Sequence, residues 1–335
     1  MKAKHLLALF LSVLLALSGC TTAPSSSAPE SSASSETASE TVSSEAASKN
    51  EARTLTDSLG NTAELPENPR IVALYGSFAQ CWLLSGGTLV GVTEDAAEEH
   101  GIETGGDVAL VGSVKEPNLE QVAALAPDYV LLSADLSAHM ELDNALSDMQ
   151  LPHGYFRMDT FADYDRMMQA FCALNDEAGE RYAEYVTVPA AHIEEIKAET
   201  AAAMESMEQP RVLLLRAYST GVKAKTDDNL AGVLLDELGA YNIAYDSPSL
   251  LEDLSVEEII TQDPDFIFVT TMGSEKSAKA YMEENITNSP AWSELAAVKN
   301  GRYIFLPKDL FHYKPLNRWD ESYAYLADCL LGKTE

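Results

Sequence analysis

Asn118-Leu119-Glu120-Gln121-Val122-Ala123-Ala124-Leu125-Ala126-Pro127-Asp128-Tyr129-Val130 aligns without a gap on Ser255-Val256-Glu257-Glu258-Ile259-Ile260-Thr261-Gln262-Asp263-Pro264-Asp265-Phe266-Ile267. Glu, Pro and Asp recur at the same places, and the apolar positions agree in kind. Each copy reads as a short helix that opens near a Glu, is broken by Pro-Asp, and gives way to a strand. A unit that appears twice predicts two halves of related fold.

Outward from these copies the pattern is that of an α/β protein. Arg70-Ile71-Val72-Ala73-Leu74, Leu89-Val90-Gly91-Val92 and Tyr129-Val130-Leu131-Leu132 are short apolar runs, as expected of strands buried on both faces of a parallel sheet. The series restarts after residue 210 with Arg211 to Leu215, Phe266 to Val269 and Tyr303 to Leu306. Strands alternating with helical segments predict two Rossmann-like lobes, each with a central, mainly parallel sheet and a ligand cleft between them. Asp163 to Ala173 and Glu177 to Met207 carry apolar residues at helical spacing, with a break expected at Pro189. About 20 helical residues span roughly 30 Å, enough to cross from one lobe to the other. Such a connection predicts a cleft that closes only slightly. The expected organisation is an N-terminal lobe over 53–175, a connecting helix over 176–209 and a C-terminal lobe over 210–335.

The start of the chain reads as an address. Lys2 and Lys4 precede an apolar run from Leu6 to Leu17 broken only by Ser12, followed by Leu17-Ser18-Gly19-Cys20. The run is too short for a bilayer core that needs about 20 residues, so residues 1–19 are expected to be a signal peptide, cut before a lipidated Cys20. Residues 20–52 are rich in Ser, Ala, Thr and Glu and hold no aromatic side chain, the composition of a flexible tether. Cys81, Cys172 and Cys329 stand singly in helix-like patterns and read as buried thiols rather than a disulfide framework.

The whole sequence of 335 residues holds Asp+Glu 53 against Lys+Arg 22, a formal charge of −31. That excludes a general nucleic-acid binder, which needs a basic face. Loss of Lys2 and Lys4 with the signal makes the mature chain more acidic still. An enzyme is not advertised either: there is no phosphate-binding G-x-x-x-x-G-K-[ST], no G-x-S-x-G elbow, no H-E-x-x-H helix and no G-x-G-x-x-G after a strand.

Thr56-Asp57-Ser58-Leu59-Gly60-Asn61, Leu65-Pro66 and Pro69-Arg70-Ile71-Val72 resemble the opening of the helical-backbone substrate-binding lipoproteins of ABC importers. Leu83-Leu84-Ser85-Gly86-Gly87, Val111-Gly112 with Pro117-Asn118-Leu119-Glu120, Leu238-Gly239-Ala240 with Asn242-Ile243-Ala244, and Leu254-Ser255-Val256-Glu257 continue the resemblance to the end of the chain. It implies capture of a ferric siderophore, haem or, alternatively, cobalamin, and delivery to a permease dimer with its ATPase subunits. It also implies that Glu120 and Glu257 pair with arginines of the permease. Both residues equally suit the positive end of a first helical turn. A sensory module of the same fold, binding a ligand without a permease, and an unrecognised hydrolase are the remaining alternatives.

Ligands of open α/β sheets sit outside the carboxyl ends of the strands, so the loops there supply the candidates. Tyr75 and Phe78 could stack on a planar cargo; Phe78 and Trp82 read equally well as core, and Ser77 as a helix cap. Residues 211–226 hold Arg211, Arg216, Lys223 and Lys225 with no acid, and 302–318 hold Arg302, Lys308, Lys314 and Arg318 against Asp309 alone. In so acidic a chain these clusters point to an anionic cargo such as a ferric catecholate or haem propionates. Phe311-His312-Tyr313-Lys314-Pro315 and Arg318-Trp319 interleave aromatics with cations. His312 could ligate haem iron, with Tyr75, Tyr218 or Met272 opposite. The other histidines lack a spacing that marks a bare metal ion. The expected ligand-binding set is therefore Tyr75, Phe78, Arg216, Tyr218, Met272, Lys308, His312, Tyr313, Arg318 and Trp319. No resident cofactor is expected; the iron complex is cargo.

Overall fold

The computed structural model describes residues 53–252 and 254–333, so Cys20, the signal and the tether lie outside the described residues. An antiparallel hairpin of β1 (Arg53–Thr56) and β2 (Thr62–Leu65) precedes the first sheet. That sheet contains β3 (Ile71–Ala73), β4 (Leu89–Val92), β5 (Ala109–Leu110), β6 (Tyr129–Ser133) and β7 (His153–Phe156), ordered β5-β4-β3-β6-β7 and parallel throughout. The second contains β8 (Arg211–Tyr218), β9 (Gly221–Lys225), β10 (Tyr241–Asn242), β11 (Phe266–Thr271) and β12 (Tyr303–Phe305), ordered β10-β8-β11-β12. β9 turns back antiparallel on β8, and the other pairings are parallel. The six apolar runs named from the sequence are β3, β4, β6, β8, β11 and β12. Every residue of β3, β6 and β11 is buried, because helices cover both faces of a parallel sheet.

The two sequence copies fold alike down to single bonds. Asn118 and Ser255 cap their helices through the backbone N–H of Gln121 and Glu258. The residue before each proline, Ala126 and Asp263, is left-handed at φ 44° and 41°, which ends the helix and aims the chain into its strand. The following carboxylates, Asp128 and Asp265, then accept the backbone N–H of Arg70 and Arg211.

Helix runs from Ala178 to Met204 between the two sheets, through a π-helical turn at Ala183–Thr187. The expected break at Pro189 does not occur. Proline sits in the first turn of the segment Val188–Met204, after the π turn has absorbed the register, so the missing N–H interrupts no α-helical ladder. This helix packs on the helix Trp319–Leu330, where His192 Nδ1 lies 3.0 Å from Asp320. No described helix is long and apolar enough to cross a membrane.

The main core runs through both halves: Phe78, Trp82, Phe156 and Phe171 from the first meet Trp319, Tyr323 and Leu326 from the second. Phe161 and Tyr164 bring their rings to 5.9 and 6.2 Å from Trp319. Cys81 and Cys172 are buried in this core, and Cys329 is buried as well.

Candidate functional site

The loops that follow the strands of the two sheets meet at residues 312–316. Ser77 Oγ, in the first turn of the helix Gly76–Leu84, donates to the carbonyl of Tyr313 at 2.7 Å. Lys314 Nζ pairs with Asp159, which follows β7. The ring of His100 lies 6.0 Å from that of Tyr313. Lys314 and Leu316 both hold left-handed backbone at φ 67° and 56°, a conformation that costs a residue with a Cβ and that these cross-links maintain.

Tyr75 stands at the end of β3, with its ring 4.8 Å from Phe78 and 6.5 Å from His139. Burial, reinforced by Asp95, Asp159, Asp135 and Glu99, pushes its phenol up to about 12, so it remains protonated at any working pH. Asp95 Oδ2 accepts the N–H of Gly76 at 2.8 Å. A Cβ at position 76 would meet the side chains of His100 at 2.6 Å and Asp95 at 2.8 Å and would displace them.

On the opposite wall, Arg216 extends from β8, where it is in register with Lys223 and Thr270. It is half-buried and makes no ion pair among the described residues. Lys308 donates to the Gly273 carbonyl at 2.8 Å and lies 4.6 Å over the ring of Tyr313. The His312 ring lies tilted against that of Tyr313, ring centres 5.1 Å apart. Burial, with Lys308, Arg216 and Lys314 adding to it, pushes the His312 imidazole down to about 4. It is therefore neutral near pH 7, with a lone pair available to a metal or a donor. Tyr218 is half-buried at the end of β8, and Met272 follows β11 with 41% of its surface exposed.

Of the ten candidate ligand-binding residues, Arg216, Lys308, His312 and Tyr313 come together, and Tyr75 lies on the facing half. Three do not fit the expected role. Phe78 is 1% and Trp319 is 0% exposed, so both belong to the core and cannot touch cargo. Arg318 is spent on Asp309 at 2.7 Å and Glu321 at 2.7 Å. The counts of cations along 211–226 and 302–318 also mixed the two ends of the strands. Arg211 and Arg302 lie at the amino ends: Arg211 holds the Gln262 side chain at 2.8 Å, and Arg302 stacks 4.7 Å over Phe266. Lys225 is paired with Asp228. Ser77 does not cap its helix, since its hydroxyl is given to Tyr313.

Sequence reasoning missed the acids of the facing wall. Asp135 follows β6 and Asp159 follows β7, on adjacent strands, and each carboxylate shifts the titration of the other. Arg157 Nε lies 3.1 Å from Asp135 and Lys314 pairs with Asp159. The order Arg157–Asp135–Asp159–Lys314 is an electrically neutral ladder between the two halves. Burial and the neighbouring Asp159 raise the Asp135 carboxyl above its ordinary range. Burial works the same way on Asp159, yet Lys314, with Asp135 and Arg157 adding to it, outweighs burial and holds that carboxyl below its ordinary range. The strand-end rule that selected Tyr75 selects Asp135 and Asp159 equally well. No group of His, Cys, Asp and Glu among the described residues is arranged to hold a bare metal ion.

Two sheets, parallel but for β9, joined by a helix, with cations gathered toward the carboxyl ends of the strands of the second, define an α/β solute-binding architecture. The chain belongs to the periplasmic binding protein family, which matches residues 71–310. It is 28% identical over 268 residues to the Fe(3+)-citrate-binding protein YfmC of Bacillus subtilis, across 77% of this chain and 79% of that protein. To the high-affinity heme uptake system protein IsdE of Staphylococcus aureus it is 24% identical over 195 residues, 58% of this chain and 64% of that one. Two solved structures share the fold. Staphylococcus aureus IsdE complexed with heme superposes with a TM-score of 0.62 at 18% identity, over 78% of this chain and 98% of that one. Staphylococcus aureus SirA complexed with staphyloferrin B gives 0.61 at 20% identity, over 84% and 98%. The family is made up of binding proteins.

Proposed function

We propose that this protein captures an anionic iron(III) complex outside the cytoplasmic membrane and hands it to an ABC importer without chemical turnover. The observation that carries the reading is the group Arg216, Lys308 and His312 at the carboxyl ends of the strands of the second sheet. Two cations that form no salt bridge among the described residues, though Arg216 acts on Asp228 and Lys308 on Glu99, stand beside an imidazole kept neutral. Partly buried cations without a salt-bridge partner favour an anion that brings its own charge. The similarity to proteins named for Fe(3+)-citrate and heme supports iron as the metal. Haem would use His312 as an axial donor and Arg216 and Lys308 for its propionates; a ferric carboxylate or catecholate would use the cations alone.

Glu120 and Glu257 suit the docking role. They are exposed and occupy the same position in the two repeated helices, so a symmetric pair of basic sites on a permease dimer would meet both. Lipidation of Cys20 would keep the protein on the outer face of the membrane, at the end of its tether.

Quenching of Trp and Tyr fluorescence by ferric citrate, a ferric catecholate, haem and cobalamin tests the reading. Saturable quenching by an iron complex supports it. Response to cobalamin alone assigns the site to a corrinoid, and response to none withdraws the proposal.

A further inference from the structure

We infer that cargo binding is coupled to uptake of a proton by the Asp135–Asp159 pair, because the arriving anion takes Lys314 away from Asp159. The inference rests on the anionic cargo proposed above. In the structure the four groups Arg157, Asp135, Asp159 and Lys314 balance, two positive against two negative. Lys314 is held next to His312, and its charge is felt there together with those of Arg216 and Lys308. An anion seated on Arg216 and Lys308 therefore comes within reach of a third cation. Whatever share of Lys314 it gains, Asp159 loses.

The consequence lies in the two carboxylates. With Lys314 engaged elsewhere, the neighbouring Asp135 and Asp159 have only Arg157 to offset them. Two adjacent carboxylates in a partly buried site do not both stay ionised; one proton enters from solvent and is shared as a carboxylic acid–carboxylate hydrogen bond. The exchange balances: the cargo anion gains an ammonium partner, Asp159 gives up that partner, and the pair gains one proton.

The other charged groups around the pair do not replace this step. Tyr75, facing from the end of β3, stays a neutral phenol. Asp163, at the start of the helix Phe161–Cys172, accepts the Asp159 backbone N–H at 3.2 Å and is paired with Arg166, so it brings no unspent cation. His312 is neutral and stays so until well below pH 6.5. The sign follows: the bound state holds the proton more tightly, so affinity rises as pH falls.

Calorimetry of the mature protein with ferric citrate, in two buffers of different ionisation enthalpy at one pH near neutrality, measures protons taken up per complex bound. Wild type is expected to take up a fraction approaching one proton, and affinity to rise toward tenfold per pH unit between about pH 7.5 and about pH 5.5. Ferric citrate titrates identically against any variant, so the comparison with Asp159→Asn isolates the protein. That variant is expected to bind more tightly than wild type near pH 7.5, since Lys314 is released in advance, and to lose the proton uptake. A merely structural role for Asp159 would weaken binding instead. Should Asp159→Asn not fold, Asp135→Asn removes the shared proton and is expected to lose the uptake as well. Binding whose heat is independent of the buffer in wild type, or an uptake unchanged in both variants, overturns the inference while leaving cargo capture intact. Absence of binding by ferric citrate, the ferric catecholate and haem withdraws the cargo reading and this inference with it.

Discussion

Asp128 Oδ2 accepts the backbone N–H of Arg70 at 2.7 Å, tying the end of one helix to the first strand of its sheet. The second half repeats the bond between Asp265 and Arg211 at 2.9 Å. In both halves the arginine side chain returns to the carbonyls that end the helix: Arg70 reaches Leu125 and Ala126, and Arg211 reaches Gln262. The Pro-Asp step thus does two jobs, stopping the helix and satisfying the strand's first donor.

Asp128→Ala and Asp265→Ala should each destabilise the fold by about 1–2 kcal/mol, because a backbone donor loses a charged acceptor. The sites are half-buried and far apart in the chain, so the double variant should lose about the sum of the two. Urea unfolding followed by far-UV circular dichroism checks both values; an unchanged midpoint in either single variant would show that water replaces the carboxylate at no cost.

The repeat was legible because it is written in local chemistry: a capping side chain, a Pro, an Asp and an apolar run need no knowledge of the partner strand. The site was legible only in part, for geometric reasons. A count of cations along 211–226 or 302–318 does not say which end of a strand each occupies, and Arg211 and Arg302 fall at the wrong end. Alternation of aromatics with cations likewise does not say which face turns inward, and Trp319 turns into the core. The Asp135–Asp159 pair joins residues 24 apart through adjacent strands β6 and β7, a relation that exists only once the sheet order is known.

Replacing Arg216 with Gln and Lys308 with Met should together weaken binding of an anionic ferric complex by about 100–10,000-fold. Each charge-assisted bond contributes about 1.5–3 kcal/mol, and each 1.4 kcal/mol is a factor of ten. Arg216 has no ion-pair partner among the described residues, so Arg216→Gln should leave the thermal midpoint in place. Fluorescence titration and calorimetric melting of the same preparation separate the two effects. Full affinity in the double variant would move the anion site away from these cations.

The neutral His312 predicts a pH dependence of folding. Its imidazole is held down to about 4 in the folded protein, by burial first and by Lys308, Arg216 and Lys314 after it, against about 6.5 when unfolded. The unfolded chain then binds the proton first, so this contribution is fully present above about pH 6.5 and is lost as pH falls toward about 4. His312→Gln should flatten the fall of stability across that window, read as the difference in urea midpoint between the two proteins at each pH. If haem is the cargo, the same substitution should also shift its Soret absorption.

Glu120 and Glu257 should matter for delivery and not for capture. Both are exposed in the first turn of the repeated helices, and neither is among the residues gathered around His312. Exposed carboxylates of this kind govern encounter and register with a basic partner and contribute little to folding. Glu120→Lys with Glu257→Lys should therefore leave the affinity for ferric citrate within about twofold, while reducing transport in cells that carry the cognate permease by more than tenfold, as expected when like charges meet at an interface. Each single reversal should fall between wild type and the pair, since a two-lobed protein on a permease dimer loses one of two equivalent contacts. Radioactive iron uptake, measured beside equilibrium binding of the same variants, decides it: uptake that survives the double reversal places the docking surface elsewhere on the molecule.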